Sequence, residues 1–494
     1  MKTNMFKKVL GIALLSVAFV GCDSILEDVE PPTSVSFEAA LTSPEAVRAL
    51  RAEMYSSVRA SFSYTTQYMV GPGAMADETR NRPGSTRFND LNQANGTSGT
   101  THLGSFGNSY TILRNANMII GGVADGVLPA AELARYRGEA LAIRAFVNHN
   151  MARTYGYEPG RTGMGGANWD LSIILRTDPT LDLADAEPKA RATVAETYAS
   201  ILSDLTEARG LLSGTNTDVS FVTEAFVVGL AARVNLYAGN WSQAASLAQE
   251  AISLSGKSLQ STQADVGSMF FKRNPEAIFE LVVNASTEAI AGSNINNGLA
   301  AYTADQWVPQ VPTQTVIDKY DAGDYRLATW YIDCQVQQST GAPATGCSTI
   351  NSLSASINKW NGWKGNLADD ITYMRVAEMY LIWAEAAAKA ANSPAAGVAP
   401  LQTLRTARNA GVVPASALTD MMAFENFILD ERMRELIVEG HRFFDLKRLG
   451  RDIPNVDGTI KIRADSYRML APFGTGLQNV NPLLVENPGY DTVN

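Results

Sequence analysis

Residues 222–255 read VTEAFVVGLAARVNLYAGNWSQAASLAQEAISLS, and the reading of this stretch decides the fold class. Apolar and small residues return every three or four positions on either side of Gly239, the pattern of two helices joined by a short turn. Ala232, Ala244, Ala248 and Ala251 are small enough to let the pair approach closely, and Trp241 is expected to fill the gap beside the turn.

The offsets of Ala232, Gly239, Trp241, Ala244, Ala248 and Ala251 are those of a tetratricopeptide repeat, present here as one good unit rather than a regular array. Upstream, Leu133, Tyr136, Ala140, Ile143, Val147, Met151 and Tyr155 step by three and four, which predicts a long helix over 129–156 with one buried face. Thr42-Ser43-Pro44-Glu45 has the form of a capping box with an early proline and opens a helix that runs to about Ala60. Downstream, a further pair is expected at 372–391 and 395–410, with Tyr373, Val376, Tyr380, Trp383 and Ala387 on one stripe that reads as helix packing.

Between these pairs the texture changes. Residues 61–106 are rich in Gly, Asn and Thr with few periodic apolar positions, which predicts a long surface excursion. Ala277 to Val283 looks like a short strand, and 284–365 is rich in Gly, Ser, Asn, Pro and Trp. The expectation is a mainly α protein with helical scaffold at 37–60, 107–260 and 370–450. Loop-rich regions at 61–106 and 261–369 carry a few short strands, and 451–494 form a C-terminal tail.

With 46% hydrophobic and 18% charged residues over 494 positions, the chain can bury a large core. A net charge of -10 and the lack of a concentrated basic footprint argue against nucleic acid as a partner. No phosphate loop, GxSxG elbow or HExxH helix is present, and the three histidines, His102, His149 and His441, have no zinc-site spacing, so no metal or cofactor is expected.

The N-terminus reads as an export signal over 1–21. Lys2, Lys7 and Lys8 precede the apolar run Val9 to Val20, whose 12 residues fall short of a membrane-spanning helix. Gly21-Cys22 then resembles a bacterial lipobox, with Phe19 where an aliphatic residue is usual, so Cys22 is the expected lipidation site. The competing reading is ordinary cleavage with an incidental thiol. Acylation at about 0.8 kcal/mol per buried CH2 would hold the protein at a membrane, with the acidic stretch 22–36 as its tether. Cys334 and Cys347, in a loop-type stretch, are a disulfide candidate suited to an oxidising compartment, the alternative being two unpaired thiols.

Residues 431–451 read ERMRELIVEGHRFFDLKRLGR, too dense in charges and aromatics for a routine amphipathic helix. Glu431, Arg432, Arg434, Glu435, Leu436, Glu439, Gly440, His441, Arg442, Phe444, Asp445, Lys447 and Arg448 resemble the signature of the SusD/RagB family. The resemblance extends through RYRGEALAIRAFVNHNMARTYG at 135–156, MRVAEMYLIWAEAAA at 374–388 and NPLLVENPGY at 481–490, with a departure at APFGTGLQ, 471–478. Glu435, Glu439, His441 and Asp445 could be an acid/base cluster. The favoured reading is a charge network in which helical neighbours pair and the turn after Gly440 folds His441, Arg442 and Asp445 back, pinning the last long helix to the scaffold.

What the resemblance implies is a noncatalytic, outward-facing outer-membrane lipoprotein that captures a glycan or oligosaccharide, with peptides a second possibility. Its implied partner is a SusC-like TonB-dependent transporter. Sugar recognition wants aromatic faces and hydrogen-bonding side chains. The loop-rich stretches offer Tyr68, Asp77, Arg80 and Arg82 in the first excursion, and Tyr302, Trp307, Trp330, Trp360 and Trp363 in the second. Two rival readings are a surface glycoside hydrolase with paired carboxylates and a repeat scaffold without a small ligand.

Overall fold

The computed structural model describes residues 41–490, leaving aside 61–62, 83–84, 86–87, 94–101, 105, 162–168, 183, 216, 286–297, 304–309, 333–355 and 366–367. Cys22, Trp307, Cys334 and Cys347 lie outside the described residues.

The first long helix, α1, spans Pro44–Ala60, followed by a π-turn and the short helix α2, Tyr68–Met75. Then come α3, Phe106–Asn117; α4, Ala130–Tyr155; and α5, Val194–Leu212. The expected pair is α6, Glu224–Tyr237, and α7, Trp241–Ser255. After the loop-rich stretch, α8 spans Val376–Ala391, α9 Pro394–Ala407, α10 Met421–Glu435 and α11 Arg442–Arg448. Each of α3 to α8 packs on its successor, and α8 also receives α9 and α10, so the scaffold is a continuous row of helix pairs around one main core. Local sequence sets the ends: Thr193 and Glu196 form a reciprocal cap at α5, and Gly256 closes α7 in the left-handed region at φ 60°.

Small residues set the helix spacing. Gly397 lies so near the Ala384 carbonyl and the Phe424 ring that a Cβ could not fit, which lets α9 lie close on α8. Gly229 of α6 likewise faces Met374 and Met379. Among the described residues, four two-stranded antiparallel ribbons decorate the scaffold. They pair β1, Thr79–Asn81, with β3, Gln310–Pro312; β2, Ala277–Leu281, with β6, Ile371–Arg375; β4, Tyr331–Ile332, with β5, Ser356–Ile357; and β7, Ile453–Pro454, with β8, Ile460–Ile462.

Three expectations need correction. Residues 61–106 are not only a surface excursion, because α2, YMVGPGAM, is buried along its whole length. A helix without a polar face has no amphipathic period to detect, and its glycines and proline read as loop signals. The segment at 372–391 begins as β6 before turning into α8, which places Tyr373 against Phe146 and Phe279 rather than on the helical stripe. Tyr380 and Trp383 stay half-exposed, while α8 buries Val376, Met379 and Ile382 toward one cluster and Ala377, Leu381 and Ala384 toward another. Trp241 keeps 40% of its surface exposed beside the Lys389 ammonium rather than filling the gap near the turn.

Candidate ligand-binding site

The segment 431–451 folds into the end of α10, a turn over 436–440 and α11, and its charged groups are buried. Glu435 takes Arg375 Nη1 at 2.5 Å, Arg408 Nη2 at 2.9 Å and Arg326 Nη1 at 2.8 Å. Glu276 shares Arg375 and Arg408, Glu431 binds Arg326, Arg405 and Arg434, and Glu439 joins Arg375 to Lys359. Burial opposes ionisation of Glu435, but Arg408, Arg375 and Arg326 hold it well below the usual carboxylate range. Arg432 binds Asp445 at 2.7 Å and His441 Nδ1 at 3.3 Å, and burial with the surrounding guanidiniums pushes the His441 pKa well down.

This is the pinning network, with one correction to its wiring. The partners of Glu435 and Glu439 come from elements far along the chain, and Arg442 turns away to Asp77. A group enclosed by permanent cations has no proton to exchange with a substrate, so the cluster ties elements together.

The loop-rich regions meet at β1 and β3, whose register sets Thr79 opposite Pro312, Arg80 opposite Val311 and Asn81 opposite Gln310. Side-chain amides run across the junction. Thr79 Oγ1 donates to Gln310 Oε1 at 2.9 Å, Gln310 Nε2 donates to Asn81 and Asn92, and Asn81 Nδ2 donates to Asn89 Oδ1 at 3.3 Å. The Phe88 ring lies 4.7 Å from that of Tyr302, on the short helix that packs against β3. Arg80 and Arg82 are half-buried here. Phe88, Asn81, Asn89, Asn92 and Gln310 were not among the sequence candidates, since only the pairing of strands more than two hundred residues apart brings them together.

The remaining candidates divide by burial. Trp330 is 1% exposed, donates its indole N–H to the Val266 carbonyl at 2.9 Å and carries the Lys359 ammonium 4.0 Å above its ring. Trp360 is fully buried against Phe270, and Tyr68 is buried with its hydroxyl 3.1 Å from Thr154 Oγ1. Asp77 accepts two hydrogen bonds from Arg442. An aromatic platform needs an open face, and in this conformation Tyr68, Tyr302, Trp330 and Trp360 have none. Trp363 differs: it is half-buried on a turn whose N–H groups at Gly362 and Trp363 donate to Asp369, with the Lys364 ammonium 5.2 Å from its ring. Burial raises the Asp369 carboxyl to about 7 despite those donors.

Among the described residues, clefts also lie elsewhere. One of about 270 Å³ opens between α10, α11 and the β7–β8 ribbon, lined by Asp430, Arg442, Arg451 and Thr459, and one of about 250 Å³ is lined by Phe106, Tyr110, Arg176 and Leu477. Neither contains a sequence candidate. No helix among the described residues is long and apolar enough to cross a membrane, and no His/Cys/Asp/Glu group there has the arrangement of a metal site.

Residues 337–490 match the family model described as SusD family, and residues 26–236 match one described as starch-binding associating with outer membrane. A SusD-like protein of Formosa agariphila is 24% identical, over 95% of this chain and 96% of its own, and a second from that organism is 23% identical, over 77% and 79%. A SusD superfamily structure from Bacteroides thetaiotaomicron superposes with a TM-score of 0.74 at 21% identity, covering 90% of this chain and all of that one. A Bacteroides vulgatus structure described as a putative sugar binding protein gives 0.72 at 22% identity, over 93% and 100%, and a laminarin-binding SusD-like protein gives 0.70 at 20%, over 90% and 99%. With two family models matching successive parts of the sequence, and the same helical fold in these structures, the chain belongs to the SusD/RagB family.

Proposed function

We propose that this protein binds a glycan or oligosaccharide at the cell exterior and delivers it to a SusC-like TonB-dependent transporter, held to the outer membrane by lipid on Cys22. The observation that carries the reading is the β1–β3 junction. There the scaffold carries half-buried Arg80 and Arg82 on and just after β1, together with half-buried Asn81, Asn89 and Asn92 and the Phe88 ring, a mixture of hydrogen-bonding and apolar groups of the kind that sugar rings require. Trp307 lies on the sequence leading into β3, and Trp363 offers a half-exposed ring on the second loop region. The reading is supported by the starch-binding description of the matched model and by the sugar-binding and laminarin-binding relatives. Binding without catalysis is supported by Glu435 and Glu439, the carboxylates of the 431–451 signature, being held in ion pairs.

The test is calorimetric titration of the protein beginning after Cys22 with a panel of oligosaccharides and oligopeptides. Saturable heat with a glycan, weakened by Arg80→Ala or Trp307→Ala and unaccompanied by products, is the expected result. Heat only with peptides, or glycan cleavage, overturns it. Copurification of the full chain with a barrel transporter checks the delivery step.

A further inference from the structure

The turn over 436–440 is strained and gripped from several sides. Val438, a β-branched residue, sits at φ 51°, and Gly440 follows at φ 86° with no room for a Cβ beside the Tyr68 carbonyl. Glu78 Oε1 accepts the Val438 N–H at 2.5 Å. From the opposite loop region, Lys359 Nζ donates to the Glu435 carbonyl at 2.8 Å, to the Ile437 carbonyl at 3.2 Å and to Glu439 Oε1 at 2.6 Å. Both side chains are fully or almost fully buried. The same two residues begin the segments that carry the candidate ligand groups. Glu78 precedes β1 with Arg80 and Arg82, and its carbonyl accepts the Thr313 N–H that roots β3. Lys359 follows β5 and precedes Trp360 and Trp363.

We propose that the 436–440 turn is the registration point of the ligand site. Glu78 and Lys359, which touch no ligand, are positioning residues: by gripping one strained turn they set the spacing between the strand that carries Arg80 and the turn that carries Trp363. The proposal rests on the glycan-binding reading for its effect on affinity. Its structural half stands alone. The relation explains why a strained β-branched residue is tolerated, since a buried carboxyl group that lost the Val438 N–H would keep its desolvation cost without its hydrogen bond. It also explains why the charged signature lies away from the candidate site yet governs it: the signature holds the two loop regions at a common origin.

Hydrogen–deuterium exchange on Glu78→Ala, Glu78→Gln and the unsubstituted protein tests the structural half without any ligand. Glu78→Ala should speed exchange in peptides covering 77–82, 310–313 and 356–364 and leave 194–255 unchanged. Glu78→Gln, which keeps an acceptor for Val438, should restore most of the protection. Unchanged exchange at β1 and β3, or loosening of equal size through the helical scaffold, overturns the proposal. Titration with a glycan that the unsubstituted protein binds tests the rest. Glu78→Ala and Lys359→Met should each weaken affinity about tenfold, the size of one lost buried hydrogen bond, with Glu78→Gln close to the unsubstituted protein. Full affinity in both substituted proteins overturns the positioning role. If the unsubstituted protein binds no glycan, the functional reading fails while the exchange result still decides the registration point.

Discussion

Arg442 donates to Asp77 through two nitrogens, Nε at 2.7 Å from Oδ1 and Nη2 at 2.9 Å from Oδ2, across 365 positions of sequence. The pair is buried and joins α11 to the residue just before Glu78, so a helix far along the chain secures the first loop region.

Breaking this pair should be costly in either direction. Arg442→Ala leaves an uncompensated buried carboxylate and is expected to destabilise the fold by about 3–5 kcal/mol. Asp77→Ala should behave similarly, while Asp77→Leu combined with Arg442→Met should lose much less than the sum of the single losses. Urea unfolding of the four proteins measures this, and additive losses would show that the pair is not coupled.

Tryptophans in the second loop region should separate into core and surface. Trp360→Ala empties a fully buried site and is expected to cost about 3–5 kcal/mol. Trp363→Ala should leave the melting temperature within a few degrees and weaken glycan affinity about tenfold if the ring is a stacking platform. Melting curves and titration on the same samples make the comparison.

Glycines with a positive φ offer a graded test of close approach. Gly458, at φ 81°, faces open space, so Gly458→Ala should cost only the left-handed penalty of about 1–2 kcal/mol. Gly440 has the same backbone class plus the Tyr68 carbonyl against it, and Gly440→Ala should cost at least twice as much by chemical denaturation. Equal effects would remove the steric argument.

Stability should fall toward both ends of the pH scale for identifiable reasons. Burial, opposed by the Val438 N–H, Arg442 and Lys359 and aided by Asp77, raises Glu78 to about 8, and its ring neighbour Tyr331 is raised as well. A carboxyl that prefers its proton when folded loses stability as pH climbs from its ordinary value near 4.5. The loss approaches 1.4 kcal/mol per pH unit at most. Asp369, raised to about 7, adds to the same slope, so Glu78→Gln should flatten it only in part. On the acid side, burial and then Lys447 lower His102 to about 3. The unfolded chain therefore takes up that proton first, and stability declines as pH drops below about 6.5. Melting temperatures across pH 4 to 9 for Glu78→Gln and His102→Gln against the unsubstituted protein resolve the two arms.

Helix pairs were legible because their signal is local. The offsets around Gly239 and the series from Leu133 to Tyr155 are repeated within single elements, and the structure returns them as α6, α7 and α4, although α4 is buried on every side from Gly138 to Tyr155 rather than on the one face its series predicts. Illegible was α2, which is apolar on every side, and so was the strand start of α8, where five residues of β6 run straight into the helix. For the candidate site, composition pointed to two loop regions without separating their exposed side chains from their buried ones. Trp330 and Trp363 look alike as letters, and only the Lys359 ammonium and the Val266 carbonyl against Trp330 make it a core residue.

By itself, then, the sequence determined what depends on short-range periodicity and on dense motifs: a mainly α scaffold with tetratricopeptide-like pairs, and membership of a family through the 431–451 signature. Tertiary structure alone decided which charges meet and where the loops lie. Arg375 and Arg408 reach Glu276 and Glu435, Arg442 reaches Asp77, and β1 pairs with β3 from the other loop region. The reason is physical: helical neighbours interact through a fixed spacing along one chain segment, whereas a buried ion pair or strand pairing between distant residues has no local trace.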